Sequence, residues 1–420
     1  MTTMDLAPLR PLAERLFDEV RARSFDGVGV TRASYGEGET AAADFLREVA
    51  LEEGLSVGTD RAANLLIGLP GAAPGPEIWC GSHLDSVPQG GNFDGLAGIV
   101  AGVLCLAVRR RAGHTSGPPL RVVGFRGEES AWFGKAYMGS GALFGKLMPE
   151  DLALPQRNTG ETLAQCMQSV GADVDAIRAH EPLFNKHDVR AYLELHIEQG
   201  PVMVARELPL GVVSGIRGNV RHNRITCIGE AGHSGAVPRW LRHDAMFAVA
   251  DLIMRLDEHW RALLERGIDL VVTTGVVSTD ASEHSISRIP GLVSLSFEAR
   301  SKSIDTLEGF YELMRTECKA IGRDRGVRFE FDRRMLSEPA TMDAKLCDIL
   351  ARNCAAHQVP HEVIASGAGH DASLFANAGI PSGMLFIRNR NGSHNPAETM
   401  DIGDFMQGVQ VLSDTVEQLA

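Results

Sequence analysis

Seven carboxylate and imidazole side chains of this sequence occur where predicted strands end, and all are of types that bind divalent metal ions. They are His83, Asp85, Asp94, Glu128, Glu129, His196 and His394. Several lie beside glycines, which let the backbone approach a ligand closely. A single His or Asp in a loop is more often a cap or a surface group, so the inference depends on the whole set. Together the residues predict a hydrolase with a two-metal site.

A centre with two divalent ions needs a bridging carboxylate, terminal ligands on each ion and a bridging water. Asp94 is the expected bridge. His83 and His196 would hold one ion. Glu129 and His394 would hold the other. Mixed nitrogen and oxygen ligands suit zinc, with manganese, cobalt or nickel as alternatives.

Two further carboxylates have expected roles beside the ions. Asp85, two residues after His83, would accept the other ring N–H of that histidine and so fix its tautomer. Glu128 has no geometric reason to bind metal if Glu129 does. Glu128 is therefore the expected general base, which takes a proton from the water and returns it to the leaving nitrogen.

Composition limits the classes of protein that the chain can be. At 420 residues it is expected to form two domains, and no apolar stretch approaches the roughly 20 residues of a membrane span. The net charge of −13 argues against nucleic acid as a partner. The start lacks a secretory signal, and the seven scattered cysteines are expected to be small core residues, so we expect a cytoplasmic protein.

The order of helical and strand-like patterns predicts an α/β fold. Helical patterns at 40–53 and 95–109 alternate with apolar strands at 64–67, 77–81 and 120–125. This alternation predicts a mostly parallel mixed sheet flanked by helices, with ligands beyond the carboxyl ends of its strands.

The middle of the sequence has a different pattern, with strand-like runs and one long amphipathic helix, at 223–228, 270–275, 292–299 and 244–264. After about residue 330 the alternation resumes. We therefore expect a catalytic domain of residues 1–211 and 330–420, interrupted by an inserted α+β domain of residues 212–329.

The motifs around these residues resemble the M20 metallopeptidase superfamily, and within it the hydantoinase/carbamoylase-type amidases. That branch includes N-carbamoyl-L-amino acid hydrolases, β-ureidopropionases and allantoate amidohydrolases. His196, where many M20 peptidases place an acidic ligand, favours the amidase branch. The resemblance covers nearly the whole chain and is carried by Gly-Ser-His-Leu-Asp-Ser-Val-Pro (81–88), Gly-Asn-Phe-Asp-Gly (91–95), Glu-Glu-Ser (128–130), His-Ile-Glu-Gln-Gly-Pro (196–201), Gly-His-Ser-Gly (232–235), Ser-Gly-Ala-Gly-His-Asp-Ala (366–372) and Ser-His-Asn-Pro-Ala-Glu (393–398).

The resemblance implies a homodimer formed through the inserted domain, which would serve as a dimerisation or lid domain. It implies that the partner subunit's His233 polarises the scissile carbonyl. Arg300, in Phe-Glu-Ala-Arg, matches the position that holds a substrate carboxylate, a task that suits a guanidinium fork. Gln199, Gly367 and His370 match substrate-contacting positions.

The implied reaction is metal-dependent hydrolysis of a linear C–N bond in a small substrate with a carboxylate. The leading substrate is an N-carbamoyl-L-amino acid, which would give the amino acid, carbon dioxide and ammonia. Allantoate, another ureido acid or an N-acyl amino acid is the nearest alternative. A dipeptidase is disfavoured by His196 and Gln199, and a non-catalytic scaffold by the complete set of ligands and base.

Some positions depart from the family pattern. Relatives often carry a Pro-Asn-x-x-Asn-Val-Ile-Pro segment where this chain has residues 283–290, so an Asn that commonly helps hold the substrate is missing and His284 or Ser287 lies near its place. Arg217 and Arg388 are two further differences. We hypothesise that one of them serves a second anionic group on the substrate, with a salt bridge to an acidic neighbour as the alternative.

Overall fold

The computed structural model describes residues 4–72, 74–113 and 119–419. The chain divides into two compact units, one made of residues 1–214 with 341–420 and one of residues 215–340.

The strands, in chain order, are β1 (Ser56–Thr59), β2 (Leu65–Gly68), β3 (Glu77–His83), β4 (Leu120–Phe125), β5 (Val189–Ile197), β6 (Leu210–Ile216), β7 (Gly218–Ile228), β8 (Gly232–His233), β9 (Val271–Thr273), β10 (Val277–Ser278), β11 (Arg288–Ile289), β12 (Leu292–Ser301), β13 (Arg328–Phe331), β14 (Met335–Ser337), β15 (Ala340–Thr341), β16 (His361–Ser366), β17 (Ser382–Ile387), β18 (Asn389–Arg390) and β19 (Thr399–Met400). The α-helices are α1 (Arg10–Ser24), α2 (Glu37–Glu52), α3 (Leu96–Arg111), α4 (Met138–Leu143), α5 (Pro149–Leu152), α6 (Leu163–Ser169), α7 (Val174–Arg178), α8 (Val202–Ala205), α9 (Ala245–Glu265), α10 (Ile304–Arg325), α11 (Ala344–Ala356), α12 (Ala372–Asn377) and α13 (Ile402–Gln418). Short 3-10 helices lie at Ala7–Leu9, Lys186–Asp188, Arg239–Leu241 and Ala281–Glu283.

The first unit is built on a mixed sheet with strand order β1-β2-β4-β3-β5-β17-β6-β15, and β16 pairs with β6. The central strands β4, β3, β5 and β17 run parallel to one another. The pairs β1–β2, β2–β4 and β17–β6 are antiparallel. The α/β class and the mixed sheet flanked by helices, both expected from the sequence, are confirmed, with the parallel pairing concentrated at the centre.

Helix α3 lies against the central strands and is buried along nearly its whole length, from Leu96 to Arg109. Its sequence is apolar on every side, as expected of a helix in the middle of a core. Gly98 makes this close packing possible, since a Cβ there would lie 2.5 Å from the carbonyl oxygen of Leu195 in β5. The helix begins directly after Asp94, so its packing also fixes the loop that carries this carboxylate.

The second unit has its own antiparallel sheet, with strand order β10-β12-β7-β13, while β9 pairs with β12 and β14 with β7. Helices α9 and α10 supply much of its separate apolar core, including Leu252 and Phe310. Because β13 and β14 both pair with β7, this unit continues to residue 340, whereas the sequence analysis placed the boundary at 329.

Within the described residues, the structure contains no helix with the length and apolar character needed to cross a membrane.

Candidate metal centre

The first group of candidate ligands gathers at the carboxyl ends of two parallel strands. His83 is the last residue of β3, His196 is the penultimate residue of β5, and Asp94 lies just before α3. All three are buried. The Nε2 atoms of His83 and His196 lie 3.4 and 3.2 Å from Asp94 Oδ1. Their ligand atoms are within 4.8 Å of one another, close enough to hold one ion.

A second group forms on the other oxygen of the same carboxylate. His394 Nε2 lies 3.4 Å from Asp94 Oδ2 and 3.2 Å from Glu129 Oε1. Glu129 follows β4 and is buried, whereas His394 lies in a loop with its side chain 49% exposed. Asp94 therefore belongs to both groups and presents one oxygen to each, which is the arrangement that a bridging carboxylate requires.

In the first group, a carboxylate oxygen that accepts no hydrogen bond is suited to bind a cation. Asp94 Oδ1 is buried and, among the described residues, accepts no hydrogen bond of acceptable geometry, although two imidazole nitrogens face it. His196 Nδ1 lies 2.9 Å from the carbonyl oxygen of Ile197, so its Nδ1–H donates there. The His196 Nε2 atom then accepts a hydrogen bond from the Gly95 N–H at 3.2 Å and lies 3.2 Å from Asp94 Oδ1. A buried carboxylate oxygen without a donor, beside imidazole nitrogens, fits a divalent ion.

The electrostatics of the centre also favour added positive charge. Burial lowers the pKa of His83, but contacts with Asp85 and Asp94 outweigh it and hold that pKa well above its ordinary value. The contact with Asp94 is the first cause that raises the pKa of His394 to about 11. Burial raises the pKa of Asp94, yet the surrounding imidazoles hold it well below its ordinary value. These pKa shifts mean that the negative carboxylates favour protonated, positively charged imidazoles. A metal ion would neutralise the same negative charge.

Asp85 connects His83 to the adjacent glutamates. His83 Nδ1 hydrogen-bonds the backbone carbonyl oxygen of Asp85 at 3.2 Å, and Asp85 Oδ1 lies 3.4 Å from the same nitrogen. The same carboxylate accepts hydrogen bonds from the backbone N–H groups of Glu128 and Glu129 at 2.9 and 3.1 Å. It also accepts one from the Ser34 hydroxyl at 2.6 Å. The sequence analysis did not anticipate that Asp85 fixes the backbone of the glutamate pair.

Glu128 lies at the edge of the first group, with Oε2 4.0 Å from His83 Nε2. Burial raises the pKa of the Glu128 carboxyl well above its ordinary value, and the nearby Glu129 and Asp371 raise it further, while His83 lowers it. A carboxyl with a raised pKa holds a proton more readily near neutral pH, so this residue is suited to accept a proton and pass it on.

Two of the three residues matched to substrate contacts lie against the ligands. Gln199 Nε2 donates to Asp94 Oδ2 at 2.8 Å, while Gln199 Oε1 is buried and has no hydrogen-bond partner among the described residues. The His370 ring centroid is 4.4 Å from that of His196. Burial lowers the pKa of His370 well below its ordinary value, so its ring is neutral. Gly367 directly follows β16, in the same loop as His370.

The other two predicted site residues belong to the second unit. His233 ends β8 and is exposed, and its Nδ1 accepts a hydrogen bond from the Gly235 N–H at 3.1 Å. The neutral ring therefore carries its proton on Nε2, where it can donate outward. Arg300 is half-buried in β12, and its Nη2 donates to Glu298 Oε1 at 3.0 Å.

The two arginines considered for a second anionic group form salt bridges within the chain. Arg217 binds both carboxylate oxygens of Asp269, with a shortest distance of 2.6 Å. Arg388 Nη2 lies 2.8 Å from Asp404. These contacts are the intramolecular alternative that the sequence analysis named.

Two residues without a predicted role also belong to the centre. The Ser393 hydroxyl lies 2.7 Å from Asp94 Oδ2, and Glu398 accepts a hydrogen bond from the Asp94 backbone N–H at 3.3 Å. Both fall in the stretch 393–398 that carried part of the family resemblance. Their position beside His394 was the only available signal, because contact with Asp94 depends on a distant part of the chain.

Comparison with known proteins shows the family of this chain. The sequence model of Peptidase family M20/M25/M40 matches residues 79–418. An N-carbamoyl-L-amino acid amidohydrolase of Geobacillus stearothermophilus is 35% identical, over 93% of this chain and 94% of that protein. The allantoate amidohydrolase of Escherichia coli (strain K12) is 31% identical, over 93% of both chains.

A solved structure gives the same result at the level of fold. An amidase of the hydantoinase/carbamoylase family from Burkholderia multivorans aligns with a TM-score of 0.87 and 26% identity, covering 97% of this chain and 98% of that one. The chain belongs to peptidase family M20/M25/M40. Within that family it is an amidohydrolase, which confirms the resemblance seen in the sequence.

Proposed function

We propose that this protein hydrolyses the ureido C–N bond of an N-carbamoyl-L-amino acid, giving the amino acid, carbon dioxide and ammonia. The observation that carries the proposal is the position of Asp94, whose two oxygens face two separate groups of ligand atoms. The names of the relatives indicate the substrate class, since several are N-carbamoyl-L-amino acid amidohydrolases.

Two divalent ions per subunit would occupy the centre, with zinc as the first choice and manganese, cobalt or nickel as alternatives. His83 and His196 would hold one ion, Glu129 and His394 the other, and Asp94 would bridge them. When bound, such a pair polarises the substrate carbonyl and lowers the pKa of the attacking water.

Glu128 would move the proton in this reaction. Water attacks the ureido carbonyl carbon, Glu128 accepts the proton that the water loses, and the same carboxyl then protonates the leaving nitrogen as the C–N bond breaks. The carbamic acid that remains then loses carbon dioxide and releases the second nitrogen, which completes the products. The burial that raises the pKa of Glu128 supports this assignment, because a carboxyl of ordinary pKa would be a poor proton donor to nitrogen at neutral pH. Asp85 would hold both His83 and the Glu128 backbone in position.

Two residues of the second unit, His233 and Arg300, would bind the substrate in a homodimer. The partner subunit's His233 would donate its Nε2–H to the scissile carbonyl, a role that the Gly235 hydrogen bond to its Nδ1 supports. Arg300 would hold the substrate carboxylate, and Gln199, Gly367 and His370 would line the remainder of the pocket.

A homodimer through the second unit forms part of the proposal. That unit exposes several large apolar side chains, among them Trp240 at 82%, Phe247 at 61% and Met254 at 66%. Phe247 and Met254 are seven residues apart in α9 and so lie on one face of that helix, which supports it as a surface for association. We propose residues 215–340 as the dimerisation and lid unit, and the remainder as the catalytic unit. The cytoplasmic location inferred from the sequence stays a prediction.

Allantoate is the nearest second substrate, because an allantoate amidohydrolase is nearly as similar as the carbamoylases. Other ureido acids and N-acyl amino acids follow. Arg217 and Arg388 do not favour any of these, since both already pair with aspartates.

The test is a substrate panel of N-carbamoyl-L-amino acids, allantoate, N-acyl amino acids and dipeptides. Apo-protein is reconstituted with zinc, manganese, cobalt or nickel, and ammonia and amine release are measured in parallel. Metal-dependent ammonia release that Glu128→Ala abolishes would support the proposal and rank its substrates. Amine release without ammonia would replace it with an acylase or peptidase, and no turnover of any compound would refute it.

A further inference from the structure

We infer that Glu398 is a positioning residue for the metal centre: its carboxylate joins the loop that carries Asp94 to the loop that carries His394. The inference depends on the proposed metal site but assigns a role to a residue that binds neither metal nor substrate. Glu398 is buried, 5% exposed, four residues after His394.

The contacts with the Asp94 loop are made through one oxygen. Glu398 Oε1 accepts the backbone N–H of Phe93 at 2.9 Å and that of Asp94 at 3.3 Å. These bonds fix the peptide that precedes the bridging carboxylate. Without this acceptor both N–H groups would lose their hydrogen-bond partner in a buried place, so the loop conformation depends on Glu398.

The other oxygen faces the Asp94 side chain through a serine. Ser393 Oγ lies 2.6 Å from Glu398 Oε2 and 2.7 Å from Asp94 Oδ2. Asp94 Oδ2 is the oxygen that faces His394 and Glu129. Glu398 therefore holds Asp94 in two ways. It fixes the Asp94 backbone directly, and through Ser393 it fixes the rotamer of the Asp94 carboxylate.

Gly91 packs closely against the Glu398 side chain, and only a glycine leaves room for it there. A Cβ on Gly91 would overlap the Glu398 side chain at Cδ, Oε1 and also Cβ. Overlap with Cβ cannot be relieved by rotating the end of the side chain. Gly91→Ala should thus displace Glu398 without removing its charge, and it provides a second, independent way to break the contact.

Loss of the Glu398 contacts should change the affinity and the geometry of the metal site. Residues that orient metal ligands typically change metal affinity by roughly 10–100-fold when they are removed. We expect Glu398→Ala and Gly91→Ala each to weaken binding of at least one zinc ion by roughly tenfold or more. Glu398→Gln should retain most of the affinity, since its amide oxygen can accept both N–H groups and its NH₂ can donate to Ser393.

The test measures zinc affinity by chelator competition and the visible spectrum of the cobalt-substituted protein, neither of which needs a substrate. Asp60→Ala is the matched control. Asp60 is half-buried and accepts hydrogen bonds from two backbone N–H groups, those of Ala62 and Asn64, and from one side chain, that of Asn64. Its removal should lower thermal stability and leave zinc affinity and the cobalt spectrum unchanged.

The outcomes separate this inference from the proposed function. Wild-type protein that binds no zinc would refute the metal site itself. Zinc affinity and cobalt spectra unchanged in Glu398→Ala, or in Gly91→Ala and Ser393→Ala if Glu398→Ala does not fold, would overturn the positioning role. Weakened zinc binding in these variants, with wild-type behaviour in Asp60→Ala, would establish it.

Discussion

Asp85 accepts a hydrogen bond of 2.9 Å from the backbone N–H of Glu128, and its other oxygen accepts that of the next residue. One carboxylate thus fixes both the proposed base and the proposed ligand Glu129, while it also contacts His83. An amide at this position could accept with only one atom, so a donor would be left unpaired in a buried site.

Asp85→Asn should therefore weaken zinc binding by roughly 10–100-fold and lower kcat as well. Equilibrium dialysis with zinc, followed by turnover at saturating metal, measures the two effects separately. Asp175→Asn, at a side chain that is 93% exposed, is the control. Wild-type zinc affinity and kcat in Asp85→Asn would show that the hydrogen bonds have no part in the site.

Glu128→Gln should lower kcat by about 10²–10⁴-fold, because the amide cannot accept and return a proton. Metal content should be unchanged, since Glu128 is not among the ligand groups. Atomic absorption and steady-state kinetics give the two values. Glu48→Gln, at an exposed position of α2, should behave as wild type. Loss of one metal ion in Glu128→Gln would instead make this residue a ligand.

Gly95→Ala should disrupt the first ligand group. Gly95 has φ +69°, and a Cβ there would lie 2.5 Å from the His83 ring. A positive φ alone should cost an alanine about 1–3 kcal/mol. Gly71, also at φ +69° and with nothing within 4 Å of its Cβ, is the comparison without a steric clash.

Thermal unfolding and zinc content are measured for both glycine variants. We expect Gly71→Ala to lose some stability at full zinc content, and Gly95→Ala to lose both stability and zinc. Equal zinc content in the two variants would mean that His83 tolerates displacement.

Removal of the ions should lower the melting temperature, because ligands that bind only the folded state stabilise it by about 4 kcal/mol at a thousandfold excess over Kd. Calorimetry before and after treatment with a chelator, then after zinc is restored, measures the change. A melting temperature unaffected by chelator would argue that no ion contributes to the fold.

Arg217→Ala should affect stability and not substrate choice, because Arg217 is already paired with Asp269. We expect a loss of about 1 kcal/mol, typical of a partly exposed ion pair with good geometry. The ratio of kcat/KM for N-carbamoyl-aspartate and N-carbamoyl-alanine should stay the same. A ratio that falls for the aspartate compound alone would restore the hypothesis of a second anionic group.

The sequence predicted the parts of the fold that depend on local patterns. Apolar runs predicted β2, β3 and β4. Polar residues at the carboxyl ends of parallel strands converge for topological reasons, so His83 and His196 could be paired before any coordinates were available.

Contacts between distant loops could not be predicted in the same way. Ser34 hydrogen-bonds Asp85 from 51 residues upstream, and Glu398 reaches Asp94 from 304 residues downstream. No periodicity links such pairs, since each depends on where a loop is placed by the packing of entire elements. The same reason explains why the sequence does not show how far the second unit extends: β13 and β14 are short, and only their pairing with β7 shows where they belong.

The separation of Asp94 from Glu398 has a consequence for biosynthesis. The second unit is one continuous segment, residues 215–340, so a ribosome completes it before it makes β16, β17 or His394. The first unit must wait without β16 and β17 in its sheet, and with an incomplete set of candidate ligands, until the last part of the chain emerges. At the proposed metal centre, metal insertion would therefore come at the end of synthesis, and a chain truncated before residue 394 would lack one of the proposed ligands.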